Sequence, residues 1–199
     1  MKKFDAVILA NGTFPTHPIP LGILHEAQQV VCCDGAINAY PDADVVIGDG
    51  DSVSEQYRER LVKVEEQEDN DLTKATRYCL AQGWRKIAYL GCTGKREDHT
   101  LGNISLLMRY FKEYQVEGIM FTDTGYFTPA QGSQTFESFI GQQVSIFNFG
   151  CSTLSSEGLK WQCYPTTEWW QGTLNEATGA SFAIQANDCY LVFRTYSER

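Results

Sequence analysis

Twelve aspartates and glutamates stand between Asp34 and Asp71, against three cations, Arg58, Arg60 and Lys63. Glu55, Glu59, Glu65 and Glu66 read as a solvated coat. Asp34, Asp49 and Asp51 differ because each follows an apolar run. Asp34 comes directly after Val30-Val31-Cys32-Cys33, and Asp49-Gly50-Asp51-Ser52 comes after Val45-Val46-Ile47-Gly48. Carboxylates at the ends of buried parallel strands meet in one crevice, and there they repel unless something positive joins them. A hard cation does so: Mg2+ takes oxygen ligands, keeps several waters and bridges to phosphates. Asp49 and Asp51, two apart around a glycine, can face one ion, although Asp, Gly and Ser are also ordinary turn formers. With Asp71 opening a helix on the same rim, Asp49, Asp51 and Asp71 are the candidate metal residues and Asp34 stands beside them.

A third strand end carries the opposite sign. Ile87–Leu90 runs into Gly91-Cys92-Thr93-Gly94-Lys95-Arg96-Glu97-Asp98-His99. Glycines let backbone N–H groups approach a phosphate, and Lys95 and Arg96 supply counter-charge. The segment is not a P-loop, since Arg96 stands where Ser or Thr is required. A plain strand-to-helix turn with solvated charges is the alternative. Asn11-Gly12-Thr13 is a second candidate for the same cradle. His99 reads as a structural hydrogen-bonder, and His17 and His25 sit in a proline-bearing segment without a constellation. No Ser/His/Asp or Cys/His arrangement is legible, so covalent acyl chemistry has no support.

Positioning these groups requires an α/β framework. Ala6–Ala10, Val30–Cys33, Val45–Ile47, Ile87–Leu90 and Ile119–Phe121 read as buried strands. Residues 71–82 read as a helix capped by Asn70 or Asp71, and residues 100–114 as a second. Strands alternating with helices imply a parallel sheet covered on both faces. The rhythm changes over residues 124–133. Beyond it Phe136–Ile140, Val144–Phe149, Leu159–Tyr164, Ala180–Gln185 and Cys189–Phe193 read as closely spaced strands. The expected fold is α/β: an N-terminal parallel-sheet α/β nucleotide-binding domain over residues 1–124, then a small all-β sandwich domain over residues 134–199.

The chain has 199 residues and a net charge of −9. That balance argues against a partner with a phosphate backbone and against anionic lipid, so neither nucleic acid nor membrane is expected. No apolar run reaches membrane-spanning length. Seven cysteines without a secretion signal or a CxxC pair read as reduced thiols in a cytoplasmic protein.

In order, these motifs resemble the thiamine pyrophosphokinase family. That family shows an Asp-Gly pair, Gly-Asp-x-Asp-Ser, Thr-Asp-x-x-x-Ala, and Gly-x-x-Gly-x-Arg-x-Asp-His with a downstream Asn. Here they stand as Asp34-Gly35, Gly48-Asp49-Gly50-Asp51-Ser52, Asn70-Asp71-Leu72-Thr73-Lys74-Ala75, and Gly91 to His99 with Asn103. In the β half, Gly158-Leu159-Lys160-Trp161 and Asn175-Glu176 match Gly-Leu-Lys-Tyr/Trp and Ser-Asn-Glu, with Leu174 in place of the Ser. The resemblance implies Mg2+-dependent transfer of a pyrophosphoryl group from ATP to the hydroxyl of thiamine, with release of AMP, by a homodimer. It implies catalytic roles for Asp49, Asp51, Asp71, Arg96 and Asp98, the last beside the metal or orienting the attacking hydroxyl. Asn11, Asp34, Gly35, Gly91, Gly94, Lys95 and Asn103 fall to nucleotide binding. Trp161 and Asn175 fall to thiamine, since aromatic faces attract a thiazolium cation. Two alternatives stay open: another Mg2+-dependent nucleotidyl or glycosyl transferase, and a non-catalytic thiamine or nucleotide sensor.

Overall fold

The computed structural model describes residues 3–64, 66 and 68–198; Glu65 lies outside them. The chain forms two compact units, divided between Asp123 and Thr124. In the first, β1 (Ala6–Leu9) is followed by α1 (Pro18–His25), β2 (Val30–Cys33), β3 (Val45–Gly48) and β4 (Leu61–Lys63). Then come α2 (Asp71–Ala81), β5 (Lys86–Leu90), α3 (Glu97–Tyr114) and β6 (Glu117–Phe121). All pairings are parallel, in the order β6-β5-β1-β2-β3-β4. β1 and β2 are buried along their whole length, which fits unbroken apolar runs in a sheet covered on both faces. The chain fills one side of β1 with β2, β3 and β4, then crosses to the other side with β5. The switch point therefore lies between β1 and β5, where open α/β sheets hold ligands beyond the strand ends.

Three local results differ from expectation. Pro18 and Pro20 occupy the first turn of α1, where a missing N–H costs nothing, and the His17 side chain caps it by accepting from Ile19 N–H at 3.2 Å. α3 begins at Glu97 and not at Thr100, so Asp98 lies in its first turn. β4 was not foreseen.

The second unit contains β7 (Gly125–Gln131), β8 (Gln134–Glu137), β9 (Gln142–Asn148), β10 (Leu154–Glu157), β11 (Asn175–Glu176), β12 (Ser181–Ala186) and β13 (Cys189–Glu198). Within it β11-β9-β13-β7 and β10-β12-β8 pair antiparallel. Phe136, Phe182, Ile184 and Leu154 from one set meet Val144, Ile146, Tyr190 and Val192 from the other in one core. β7 occupies residues read as a break, because the Pro129 it carries suggested one. Residues 159–164 are not a strand. Leu159 makes one bridge to Ala177, and the Asn175 side chain satisfies both backbone groups of Trp161 in place of a neighbouring strand.

Candidate active site

At the carboxyl edge of the first unit the loops after β1, β2 and β5 and the starts of α2 and α3 enclose a cavity of about 340 Å³. The loops after β1 and β5 are zipped by backbone bonds from Ala10 to Leu90 (2.9 Å), Gly12 to Gly91 (2.7 Å) and Thr13 to Thr93 (2.8 Å). This closeness needs glycine: Gly91 has φ +64, and a Cβ there would stand 2.5 Å from the Ala10 carbonyl. Asp34, Asp71, Asn11, Gly91, Lys95, Arg96 and Asn103 all border the cavity. Acid and base thus face one space. Asp49, Asp51, Asp98, Gly35 and Gly94 are outside its lining.

Each side chain has a definite local task. Asp34 is buried in the left-handed region (φ 37), and its carboxylate accepts from Gly50 N–H and Ser52 N–H, both at 3.1 Å. A Cβ on Gly48 would stand 2.8 Å from the Asp34 Cβ. Asp34 therefore shapes the loop that carries Asp49 and Asp51, and strain of this kind is kept where the surroundings demand it. Asp49 accepts from Asp51 N–H at 3.1 Å, and Asp51 is exposed. Asn70 caps α2 by accepting from Thr73 N–H at 3.0 Å, which sets Asp71 in the first turn. Burial pushes the Asp71 carboxyl up, Asp34 and Asp49 add repulsion, and Lys74 opposes them. Lys95 donates to Asn11 across the cavity at 3.2 Å, and Asn103 donates to the Cys92 carbonyl at 2.8 Å, fixing the turn into α3. Arg96 grips Asp98 as a fork, Nη2–Oδ2 2.6 Å and Nε–Oδ1 3.1 Å, which raises the arginine and lowers the carboxyl.

Among the described residues no three His, Cys, Asp or Glu side chains gather to hold a metal ion by themselves. The mutual repulsion of Asp34, Asp49 and Asp71 still calls for positive charge. The donor set fits a hard cation that takes one or two carboxylates and completes its shell with water and phosphate, and does not fit an all-protein cage.

The second unit has its own cavity, about 370 Å³, bordered by Trp161, Cys163, Tyr164, Gln171, Leu174 and Asn175 among others, with no charged side chain in the lining. Of the three tryptophans in this unit only Trp161 borders it. Lys160 Nζ lies 4.9 Å from the Trp161 ring centre and 3.5 Å from Glu176. Trp169 packs on Phe147 and Phe149, and Trp170 donates to Glu168. Asn175 is buried with its amide spent on the loop: Oδ1 accepts from Trp161 N–H at 3.1 Å and Nδ2 donates to the Trp161 carbonyl at 2.7 Å. Leu174 is held at φ 64 with its side chain exposed.

Sequence reasoning missed several groups at the first cavity. Cys33, Cys92, Asn70, His99 and Thr100 border it. Burial pushes Cys92 up to about 12 and Cys33 well above the ordinary thiol range, so both stand as neutral thiols. No disulfide joins the seven cysteines. Among the described residues no helix is long and apolar enough to cross a membrane.

Comparison with known proteins gives a consistent picture. Residues 22–118 match the model "Thiamin pyrophosphokinase, catalytic domain", and residues 125–193 match "Thiamin pyrophosphokinase, substrate-binding domain". The chain is 30% identical over 104 residues to thiamin pyrophosphokinase 1 of Caenorhabditis elegans, a match spanning 43% of this chain and 42% of that protein. Thiamine pyrophosphokinase from Bacillus subtilis is similar over 96% of this chain and 99% of its own (TM-score 0.76, 20% identity). Thiamin pyrophosphokinase from Candida albicans is similar over 96% and 90% (TM-score 0.80, 17% identity). At those identities the structures speak for the fold.

Proposed function

This chain belongs to the thiamin pyrophosphokinase family, and from that premise we propose that it transfers a pyrophosphoryl group from ATP to the hydroxyl of thiamine, giving thiamine diphosphate and AMP. The observation that carries the reading is the first cavity, where Asp34 and Asp71 face Lys95 and Arg96 across one space at the switch point. A polyphosphate is the ligand that needs both signs: cations grip its oxygens, while the carboxylates hold the Mg2+ that travels with it. Asp49, Asp51 and Asp71 are the residues from which one or two carboxylates would hold Mg2+, which when bound would neutralise the charge of the transferring group. Lys95 and Arg96 bind and orient the phosphates, helped by the N–H groups at the start of α3. Asp98, released when Arg96 turns to phosphate, takes the role of orienting the attacking hydroxyl in this reading. Transfer of this kind depends on positioning and charge neutralisation more than on covalent chemistry.

In the same reading, residues 1–124 form the ATP-binding catalytic domain and residues 134–199 the thiamine-binding and dimerisation domain. Trp161 offers its ring to thiamine, and Asn175 holds the loop that presents it. The acceptor site is completed in a homodimer working in the cytoplasm. The test is metal removal combined with carboxylate variants. Chelation should abolish turnover and Mg2+ restore it. Asp49→Asn, Asp51→Asn and Asp71→Asn should each lose at least about a hundredfold in kcat with an unchanged circular-dichroism spectrum. Near-normal rates in all three would overturn the metal assignment.

A further inference from the structure

Among the described residues one lysine is buried, and it is not at the cavity surface. Lys74 has a side chain 4% exposed, and its one ion partner is Asp71, whose Oδ1 lies 3.5 Å from its Nζ, one turn earlier on α2. An ammonium withdrawn from water to this degree is retained only where a negative group answers it. Asp71 borders the cavity with its side chain 35% exposed, whereas Lys74 stands behind the wall. The helical turn that holds the pair is itself fixed. Thr73 bonds the Tyr110 hydroxyl at 2.7 Å, and Thr76 bonds the Tyr89 hydroxyl at 3.1 Å. Asp34 and Asp49 repel the Asp71 carboxylate.

We propose that Lys74 is a positioning residue: from behind the cavity wall its ammonium holds one oxygen of Asp71 and leaves the other turned to the space where the transferring group is handled. The proposal rests on the reading of Asp71 as part of the reaction site. Without the lysine the carboxylate is free to swing away from its two acidic neighbours, and a misplacement of about 1 Å costs on the order of a hundredfold in rate.

The experiment is a double-mutant cycle with Lys74→Met, Asp71→Asn and the double variant, each checked by thermal melt. Lys74→Met keeps the length of the side chain and leaves Asp71 able to hydrate, so the fold should hold. Expected is a loss in kcat of about thirty- to a hundredfold, with KM for thiamine unchanged. In the Asp71→Asn background the same change should cost less than about twofold, because a residue acting through another has no effect once its partner is gone. A second readout is Mn2+ binding to the protein without nucleotide, followed by electron paramagnetic resonance. Lys74→Met should shift the dissociation constant at least about threefold with Asp71 present, and not in the Asp71→Asn background. Equal losses in both backgrounds, or wild-type turnover in Lys74→Met while Asp71→Asn is inactive, would overturn the role of Lys74 alone. Wild-type turnover in Asp71→Asn would overturn the reading of the cavity, and the proposal with it.

Discussion

Arg96 and Asp98 hold each other at the mouth of the α/β cavity, with side chains 65% and 63% exposed. So open an ion pair adds little to stability. Its consequence lies in binding: the fork that grips Asp98 has the geometry to grip phosphate, so the incoming polyphosphate displaces one anion by another. Arg96→Ala should therefore leave the melting midpoint nearly unchanged while lowering kcat/KM for ATP sharply. Arg96→Lys should lose less, since an ammonium keeps the charge and not the fork. Lys95→Ala should lose least, because Lys95 ties itself to Asn11. Steady-state kinetics with ATP as the varied substrate checks the order, and a Lys95→Ala variant worse than both would assign the grip to the other residue.

At the scale of elements, the start of α1 is tied to the far end of the first unit. Asp123, just after β6, accepts from the Thr16 hydroxyl at 2.5 Å, from Thr16 N–H at 2.9 Å and from His17 N–H at 3.1 Å. Burial alone would raise its carboxyl, but these bonds outweigh it and hold it below the ordinary range. A carboxylate lowered in the fold stabilises it above the unfolded value and loses that contribution as pH falls through the folded one. Asp123→Ala should cost about 0.5–1.5 kcal/mol at pH 7, the net value of a hydrogen bond. Denaturant melts at pH 7 and pH 3 should show the gap between variant and wild type closing at the lower pH. This tie was invisible in the sequence because its partners are over a hundred residues apart. What was legible followed from local chemistry. The runs that became β1, β2 and β5 are buried on both faces, and Asn70 caps α2 by a contact three residues long. Pro18 and Pro20 hid α1 because proline breaks a helix interior and suits its first turn equally well. Leu159–Tyr164 looked like a strand because Lys160 and Gln162 alternate with apolar residues, while the group that satisfies Trp161 is the side chain of Asn175. Asp34, Asp71, Lys95 and Arg96 were legible as neighbours because each follows a strand or opens a helix at one edge. Lys74 was not, because its burial is decided by packing.

At the scale of the whole molecule, the cavity at the carboxyl edge of the first unit and the cavity bordered by Trp161 contrast in character. One is charged in both signs, and the other has an aromatic wall and no charge. The proposed function assigns them to donor and acceptor. Trp161→Ala should accordingly raise KM for thiamine about two- to thirtyfold, the value of a lost cation–π contact, and leave KM for ATP unchanged. Light scattering at micromolar concentration should report a homodimer. A monomer with full activity would remove the shared acceptor site. Which bond breaks in ATP is decided by phosphorus NMR of the purified protein turning over ATP and thiamine. Pyrophosphoryl transfer gives one AMP for each thiamine diphosphate formed, with both terminal phosphates of ATP found together on the product. ADP with thiamine monophosphate, or ATP and thiamine unchanged at saturating Mg2+, would contradict it.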